Sequence, residues 1–404
     1  MDVHSCPDVA VVGGGVIGLA VAWRAARRGL TVAVADPDPG QGASHVAAGM
    51  LAPVTELRYG EQELLTLGLA AARRYAAFVA ELEEESGLSC GYRPCGTLAV
   101  ALDADDRAEL RELHEFQSSL GLSSRWLTGR ECRRFEPMLA PSVTGGMFVE
   151  DDHQVDGRRL AAALLVAAER AGVVVHRARA AVTTGPDRVT GLRLSDGTVL
   201  AAGTVVLAAG CWSARVDGLP AEALPPVRPV KGQILRLRVP PSLAPFLSHT
   251  VRGNTRGSHV YLVPRENGEL VVGATSEELG FDTLVTAGGV YGLLRDAHDL
   301  VPGLTELPLV ETIAGLRPGS PDSAPMLGPG RLDGLVLATG HHRNGILLTP
   351  VTADVISELL VTGMLPELAA PFTPDRFDGA RRVGSTKHSE QTEPVGQVGQ
   401  GVSA

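Results

Sequence analysis

The sequence predicts an α/β fold in which a parallel-sheet domain, assembled from separated pieces of chain, is interleaved with an α+β domain built on an antiparallel sheet. Three observations predict it. The chain opens with strand, glycine turn, helix and strand in "DVAVVGGGVIGLAVAWRAARRGLTVAVAD". Its middle, Val227 to Thr275, changes to β-rich runs joined by tight turns such as Glu266-Asn267-Gly268. Its end returns to a strand in "GLVLATG" and a long apolar helix in "GILLTPVTADVISELLVTG". At 404 residues the chain is too long for one typical domain, so two are expected.

The elements follow from their patterns. Val9 to Val12 is an apolar run bounded by Gly13. Val16 to Arg28 has helical spacing and stops at Gly29. Thr31 to Ala35 is a second strand ending at Asp36, which completes a βαβ unit. Helices are expected over Glu61 to Ser86, Ala104 to Leu120, Thr128 to Phe135 and Gly157 to Gly172. "VVVHRARAAV" and "GTVVLAAGCWS" read as further strands of the first sheet, and "KGQILRLRV", "HVYLVPREN" and "ELVVGAT" as strands of the antiparallel one. Segments 7–75, 148–226 and 317–378 are therefore assigned to the first domain, and 76–147 and 227–316 to the second. The tail, 379–404, is polar, Gly/Ser/Gln-rich and expected to be disordered.

Composition narrows the class. Hydrophobic residues make up 44% and charged residues 20%, as in a globular enzyme. A net charge of −10 disfavours nucleic acid as a partner. Five scattered cysteines suit a reducing compartment. The N-terminus lacks a basic region followed by an apolar stretch, and no window approaches 18 uninterrupted apolar residues. The expectation is a cytoplasmic protein without a membrane partner.

Gly13-x-Gly15-x-x-Gly18 lies between strand and helix. Such glycines serve a tight turn, close backbone approach to a pyrophosphate, and close helix–strand packing. Val16 and Ile17 open the helix, whose N-terminal N–H groups suit phosphates. Ala35 and Asp36 close the next strand, and the Asp36 carboxylate suits a ribose diol. A 2′-phosphate there would be repelled, which argues against NADP. The motif predicts a Rossmann-like dinucleotide site and leaves NAD and FAD open.

Two later stretches repeat the theme. "GASHVAAGMLAP" brings Ala43, Ser44, Ala47, Ala48 and Gly49 together, small residues that let backbone approach a ligand; Ser44 would equally serve as a helix cap. In "ATGHHRNGILLTP", His341, His342 and Asn344 precede a helix opened by Gly345, Ile346 and Leu347. A helix N-terminus stabilises negative charge on a bound group.

These motifs, with "VVLAAGCWS", "PVKGQ", "YLVPRENGELVVGAT", "AGLRPGSPDSAPMLG" and "GHHRNGILL", stand in the order found in the D-amino-acid-oxidase-like family of FAD-dependent oxidoreductases, which the chain resembles from about Asp8 to Phe377. Within that family the resemblance is greatest to the glycine-oxidising branch linked to the thiazole of thiamine. It implies non-covalent FAD, because covalent-flavin members carry a cysteine near the "GLRP" segment and none stands there. It adds Ala181, Val182 and Gly210 to the residues expected around the cofactor.

The resemblance implies a substrate site as well. Arg317 would hold the substrate carboxylate through its guanidinium fork, Tyr261 would add a hydrogen bond, and Arg343 would lie near substrate and flavin. Read without it, Arg317 would as readily form a buried ion pair with Glu311 or Asp322, and Tyr261 would be a core tyrosine. The implied reaction is hydride transfer from a neutral amine of glycine, sarcosine or a small D-amino acid to flavin N5, with oxygen as acceptor and hydrogen peroxide as product. The imine is hydrolysed to glyoxylate and ammonia or passed on intact. The alternatives are a dehydrogenase that hands electrons to a quinone or partner protein, and a non-catalytic FAD-binding subunit. The resemblance also implies a homotetramer.

Other polar clusters read as structural. Adjacent His341 and His342 seldom converge on one metal, so no metal is expected. Cys90 and Cys95 are not a CxxC pair. Asp151, Asp152 and His153 read as a solvated turn. Ser276 and Ile313 replace the bulkier Met and Trp frequent in this branch, which reshapes the expected pocket.

Overall fold

The computed structural model describes residues 6–255 and 257–378, so the tail expectation lies outside the described residues. Val9–Val12, Val32–Ala35, Val174–His176, Thr204–Leu207 and Leu335–Thr339 run parallel in one sheet, closed at one edge by antiparallel Met326–Pro329. Both its faces are covered, so its strands read as unbroken apolar runs. The helix after the glycine turn, Val16–Arg27, packs against the closing helix Gly345–Thr362 and against Gly157–Arg170. Trp23 is fully buried among them and donates its indole N–H to Glu85 Oε2 at 2.6 Å.

His342–Thr362 is long and apolar enough to cross a bilayer by length and composition. Here 67% of that stretch is buried inside the fold, including Leu348, Val351 and Ile356 in the main core.

The long amphipathic helix is Gln62–Ser86, ended by Gly87 in the left-handed region. Thr128 and Glu131 form a capping box on Gly129–Phe135. One expected strand belongs elsewhere. Ala180–Thr184 does not extend the parallel sheet; it pairs with Val189–Leu194, which pairs with Val199–Ala201, in a separate antiparallel sheet.

The second large sheet has eight strands. Leu309–Gly319 lies at one edge, followed by Arg228–Arg238, Glu269–Gly273, Ser258–Pro264 and Thr250–Thr255. One face packs on the helix Ala287–Leu300 through Leu235, Leu237, Val260, Val272 and Leu293. The other face carries Ile234, Val263 and Val271 with Tyr261 toward Val46 and Ala48 of the small-residue segment. Register places Val230 opposite Arg317, Gly232 opposite Gly315, and Tyr261 opposite Gly273.

Candidate functional site

A cavity of about 1020 Å³ runs from the glycine turn to the antiparallel sheet. At the turn its wall is backbone. Gly13 has φ +109, and a Cβ there would lie 2.4 Å from Ala208 O. A Cβ on Gly18 would lie 1.9 Å from Gly13 O, so Gly18 serves helix–strand packing and is not a wall of the cavity. Gly15 differs. A Cβ there meets only Ser44 Oγ, at 3.3 Å, so protein packing does not require glycine at this position. Open space beside a helix N-terminus is what a pyrophosphate needs. Gly15 is the N-cap and offers no side chain, while Ser44 Oγ accepts the N–H of Val16 at 3.1 Å.

Asp36 lies at the end of the second strand, on the cavity wall. Its Oδ2 accepts the Gly14 N–H at 2.6 Å and its Oδ1 the Asp38 N–H at 2.8 Å. Lone pairs remain on both oxygens for a diol. Val16, Ile17, Ala35, Ala43, Ser44, Ala47, Ala48, Gly49, Gly210, His341, His342, Gly345 and Ile346 line the same cavity.

Five residues expected beside the cofactor are off this wall: Gly18, which packs helix on strand, and four that lie elsewhere. Val182 points into the core beside Leu192 and gives its N–H to Asp217 O at 2.8 Å. Ala181 is off the wall too; Arg179 and Ala180, at the mouth of that strand, line the cavity instead. Helical rotation turns Asn344 and Leu347 away from Gly345 and Ile346, into a separate recess of about 20 Å³.

The closing helix begins where both histidines stand. His341 is 2% exposed and shares a hydrogen bond with Thr352 Oγ1 at 3.0 Å; burial pulls its pKa down to about 3. His342 has φ +47, a strained conformation for a non-glycine residue. Burial, then the charge of Arg343 and Arg317, pull its pKa down to about 4. Both imidazoles are neutral near pH 7, and His342 Nδ1 is buried without a partner among the described residues.

The far end is built by side chains. Arg317 comes from the edge strand, whose neighbour Gly232 makes room for it: a Cβ at 232 would lie 2.6 Å from both guanidinium Nη atoms. Gly273 does the same for Tyr261, whose hydroxyl would be 2.5 Å from a Cβ there. Burial raises the Tyr261 phenol above its ordinary value, and the adjacent Arg317 acts against that rise. Neither alternative partner reaches Arg317. Glu311 pairs with Arg158 at 2.9 Å, and Asp322 with Arg376 at 2.7 Å. Arg317 donates to the carbonyls of Thr275 at 3.2 Å and Lys231 at 3.5 Å, and lies within hydrogen-bonding reach of the Tyr261 hydroxyl. No carboxylate among the described residues pairs with its charge.

Arg343 also lines the cavity, but it is tied to Glu61. Its Nε and one Nη are buried with no partner among the described residues. Ser276 is on the wall, whereas Ile313 packs behind it with Ile234 and Val46.

Sequence reasoning missed two supports. Arg265, 7% exposed, donates to Gln154 Oε1 at 2.8 Å, to Val155 O at 2.9 Å and to Ala48 O, and so fixes the Ala48–Gly49 wall. Asp152 is not a solvated turn residue. It is fully buried and accepts from Thr55 N at 2.6 Å, Thr55 Oγ1 at 2.7 Å and Val54 N at 3.2 Å, which anchors the segment leading to Glu56. Burial pushes its carboxyl up to about 7. A charged residue in "PRENG" or "EDDHQ" carries no local mark of such burial.

The model of the FAD dependent oxidoreductase family matches residues 8–359. The chain is 39% identical over 375 residues to the bifunctional protein ThiO/ThiG of Synechocystis, a match covering 92% of this chain and 54% of that protein. The chain thus spans about half the length of such bifunctional relatives. It is 36% identical over 376 residues to the glycine oxidase of Geobacillus kaustophilus, covering 92% of this chain and 97% of the relative. The crystal structure of glycine oxidase from Geobacillus kaustophilus superposes with a TM-score of 0.85, covering 92% of this chain and 99% of the other, at 36% identity.

Proposed function

The chain belongs to the family of FAD-dependent oxidoreductases, and from that premise we propose that it oxidises glycine, with sarcosine and small D-amino acids as further substrates. The observation that carries this reading is Arg317, a guanidinium without a carboxylate partner among the described residues, beside Tyr261 in the cavity that begins at the glycine turn.

FAD fits the residues present. Gly13 and Gly15 would admit the pyrophosphate, Asp36 the ribose, and Ala47 to Gly49 with Gly345 and Ile346 the ring system. Cys211, the cysteine on the wall, has its thiol pushed up to about 12 by burial, which suits non-covalent binding. Bound FAD supplies a two-electron acceptor for the hydride of the amino acid α-carbon, and oxygen takes the electrons on to hydrogen peroxide.

The chain's own residues place the substrate. Arg317 grips the carboxylate in a fork and the Tyr261 hydroxyl adds a hydrogen bond. Neutral His341 and His342 put no cation beside the amine. Position and electrostatics are what this chemistry asks of the protein. The imine product hydrolyses to glyoxylate and ammonia or feeds the thiazole of thiamine. A cytoplasmic homotetramer belongs to the same reading.

The test is a panel of glycine, sarcosine and D-alanine, mixed anaerobically with the flavin-loaded protein before air is admitted. Bleaching of the flavin followed by peroxide release is expected. Bleaching without oxygen turnover would favour a dehydrogenase, and no bleaching by any of the three would defeat the proposal.

A further inference from the structure

The proposed carboxylate anchor is itself held from behind. One nitrogen of the Arg317 guanidinium, Nη1, donates to both Thr275 O and Lys231 O. Those two carbonyls belong to one polar knot, where the strand Arg228–Arg238 meets the segment that follows Glu269–Gly273. Glu277 is its hub. Glu277 Oε1 accepts from Thr275 Oγ1 and, at 2.8 Å, from Gln233 Nε2. Thr275 Oγ1 in turn accepts the Gln233 N–H at 2.9 Å. Main chain doubles the tie: Lys231 N–H donates to Glu277 O at 2.8 Å, and Glu277 N–H to Lys231 O at 3.0 Å. The fully buried Lys231 ammonium meets Glu277 Oε2 at 3.8 Å and pairs with Asp282. Thr275 and Arg317 line the cavity, whereas Glu277 stands behind its wall.

A guanidinium fork matches a carboxylate only when its plane is fixed. The vacancy at Gly232 gives Arg317 room, and the two carbonyls give it direction. The Thr275 carbonyl keeps its place only while the Thr275 hydroxyl is held. Burial alone would raise the Glu277 carboxyl; the Thr275 and Gln233 hydrogen bonds and the Lys231 charge together hold it below its ordinary value. An ionised carboxylate has no proton to give, so the Thr275 hydroxyl donates to it and keeps its lone pairs for the Gln233 N–H. We infer that Glu277 is a positioning residue: acting through Thr275, it sets the Arg317 guanidinium in the orientation that receives a substrate carboxylate. This inference rests on the reading of Arg317 as the carboxylate anchor.

The experiment titrates flavin-loaded protein with glycolate, a carboxylate that lacks the amine, and with its neutral isostere glycolamide, and follows the flavin spectrum. Glu277→Ala should weaken glycolate by about tenfold, the order of one net hydrogen bond, and glycolamide by less than about twofold. On an Arg317→Ala background Glu277→Ala should cost nothing further, because both changes act on one contact. Glu277→Gln keeps an oxygen for the Thr275 hydroxyl and should retain most of the glycolate affinity. If Glu277→Ala fails to hold flavin, Thr275→Val, which removes the hydroxyl and keeps the carboxylate, must show the same selective loss. Equal weakening of both ligands, additive losses in the double variant, or unchanged glycolate affinity in Glu277→Ala overturns the inference, while weakened glycolate binding in Arg317→Ala leaves the broader reading standing. Glycolate binding that Arg317→Ala does not weaken overturns both.

Discussion

The two ends of the cavity are made of different material. At the glycine turn the wall is main chain, and what matters is where side chains are missing. At the antiparallel sheet the wall is charged and aromatic side chains, brought from strands far apart in sequence. Yet the second end depends on missing side chains as well. Arg317 occupies the space above Gly232, and Tyr261 the space above Gly273. The difference teaches that a backbone site is specified by its own motif, whereas a side-chain site is specified by the motif and by the vacancies its neighbours leave.

Substitutions at each end should separate the two functions. The largest effect is expected from Gly15→Val. Its Cβ would meet only Ser44 Oγ, at 3.3 Å, and its methyl groups would enter the space proposed for a pyrophosphate. The variant should fold by circular dichroism and purify almost free of flavin, read from its visible absorbance. Full flavin occupancy would show that the cradle is wider than the geometry implies.

Next is Arg317→Ala, which should cost ~2–5 kcal/mol of substrate binding, the range for removing one partner of a buried charge contact. Flavin content should be unchanged. If KM holds and flavin is lost, the two ends are not separable. Gly232→Ala should produce a milder version of the same defect. Its Cβ would lie 2.6 Å from the guanidinium, which must move. A displacement of about 1 Å at a binding group can cost up to a hundredfold in rate, so about a tenfold loss in kcat/KM is a moderate expectation.

The smallest effect concerns stability. His342 has a folded pKa of about 4 against an ordinary value of 6.5. Between those values the unfolded chain binds a proton that the folded one refuses, so acidification through that window favours unfolding. At pH 7 neither state binds it. His342→Asn removes the titration and suits the positive φ. The thermal midpoint of the variant should therefore gain more over wild type at pH 5 than at pH 7. Equal gains at both would leave only the backbone contribution.

Much of the fold was legible because its signals are local. The apolar run Val9–Val12, the glycine turn and the helix to Arg27 lie within a short stretch, and each reads from its own spacing. The same holds for the capped helices and for Gly345 at the start of the closing helix. Ala180–Thr184 was misplaced because a short apolar strand does not state which sheet it joins. Val182 was misplaced with it, since strand alternation sends its side chain into the core. Asp152 and Arg265 could not be read as buried, because polar residues mark surface unless distant partners satisfy them.

The sequence by itself determined the glycine turn between strand and helix and the two kinds of sheet, and its ordered motifs singled out Arg317 and Tyr261, which the structure sets side by side. Only the tertiary structure decided that Arg317 is left without a carboxylate among the described residues while Glu311 and Asp322 go to other arginines. Only it decided that Arg343 is tied to Glu61. The physical reason is range. Backbone geometry depends on neighbours in sequence, whereas the balance of a charge depends on every group that folding brings near it.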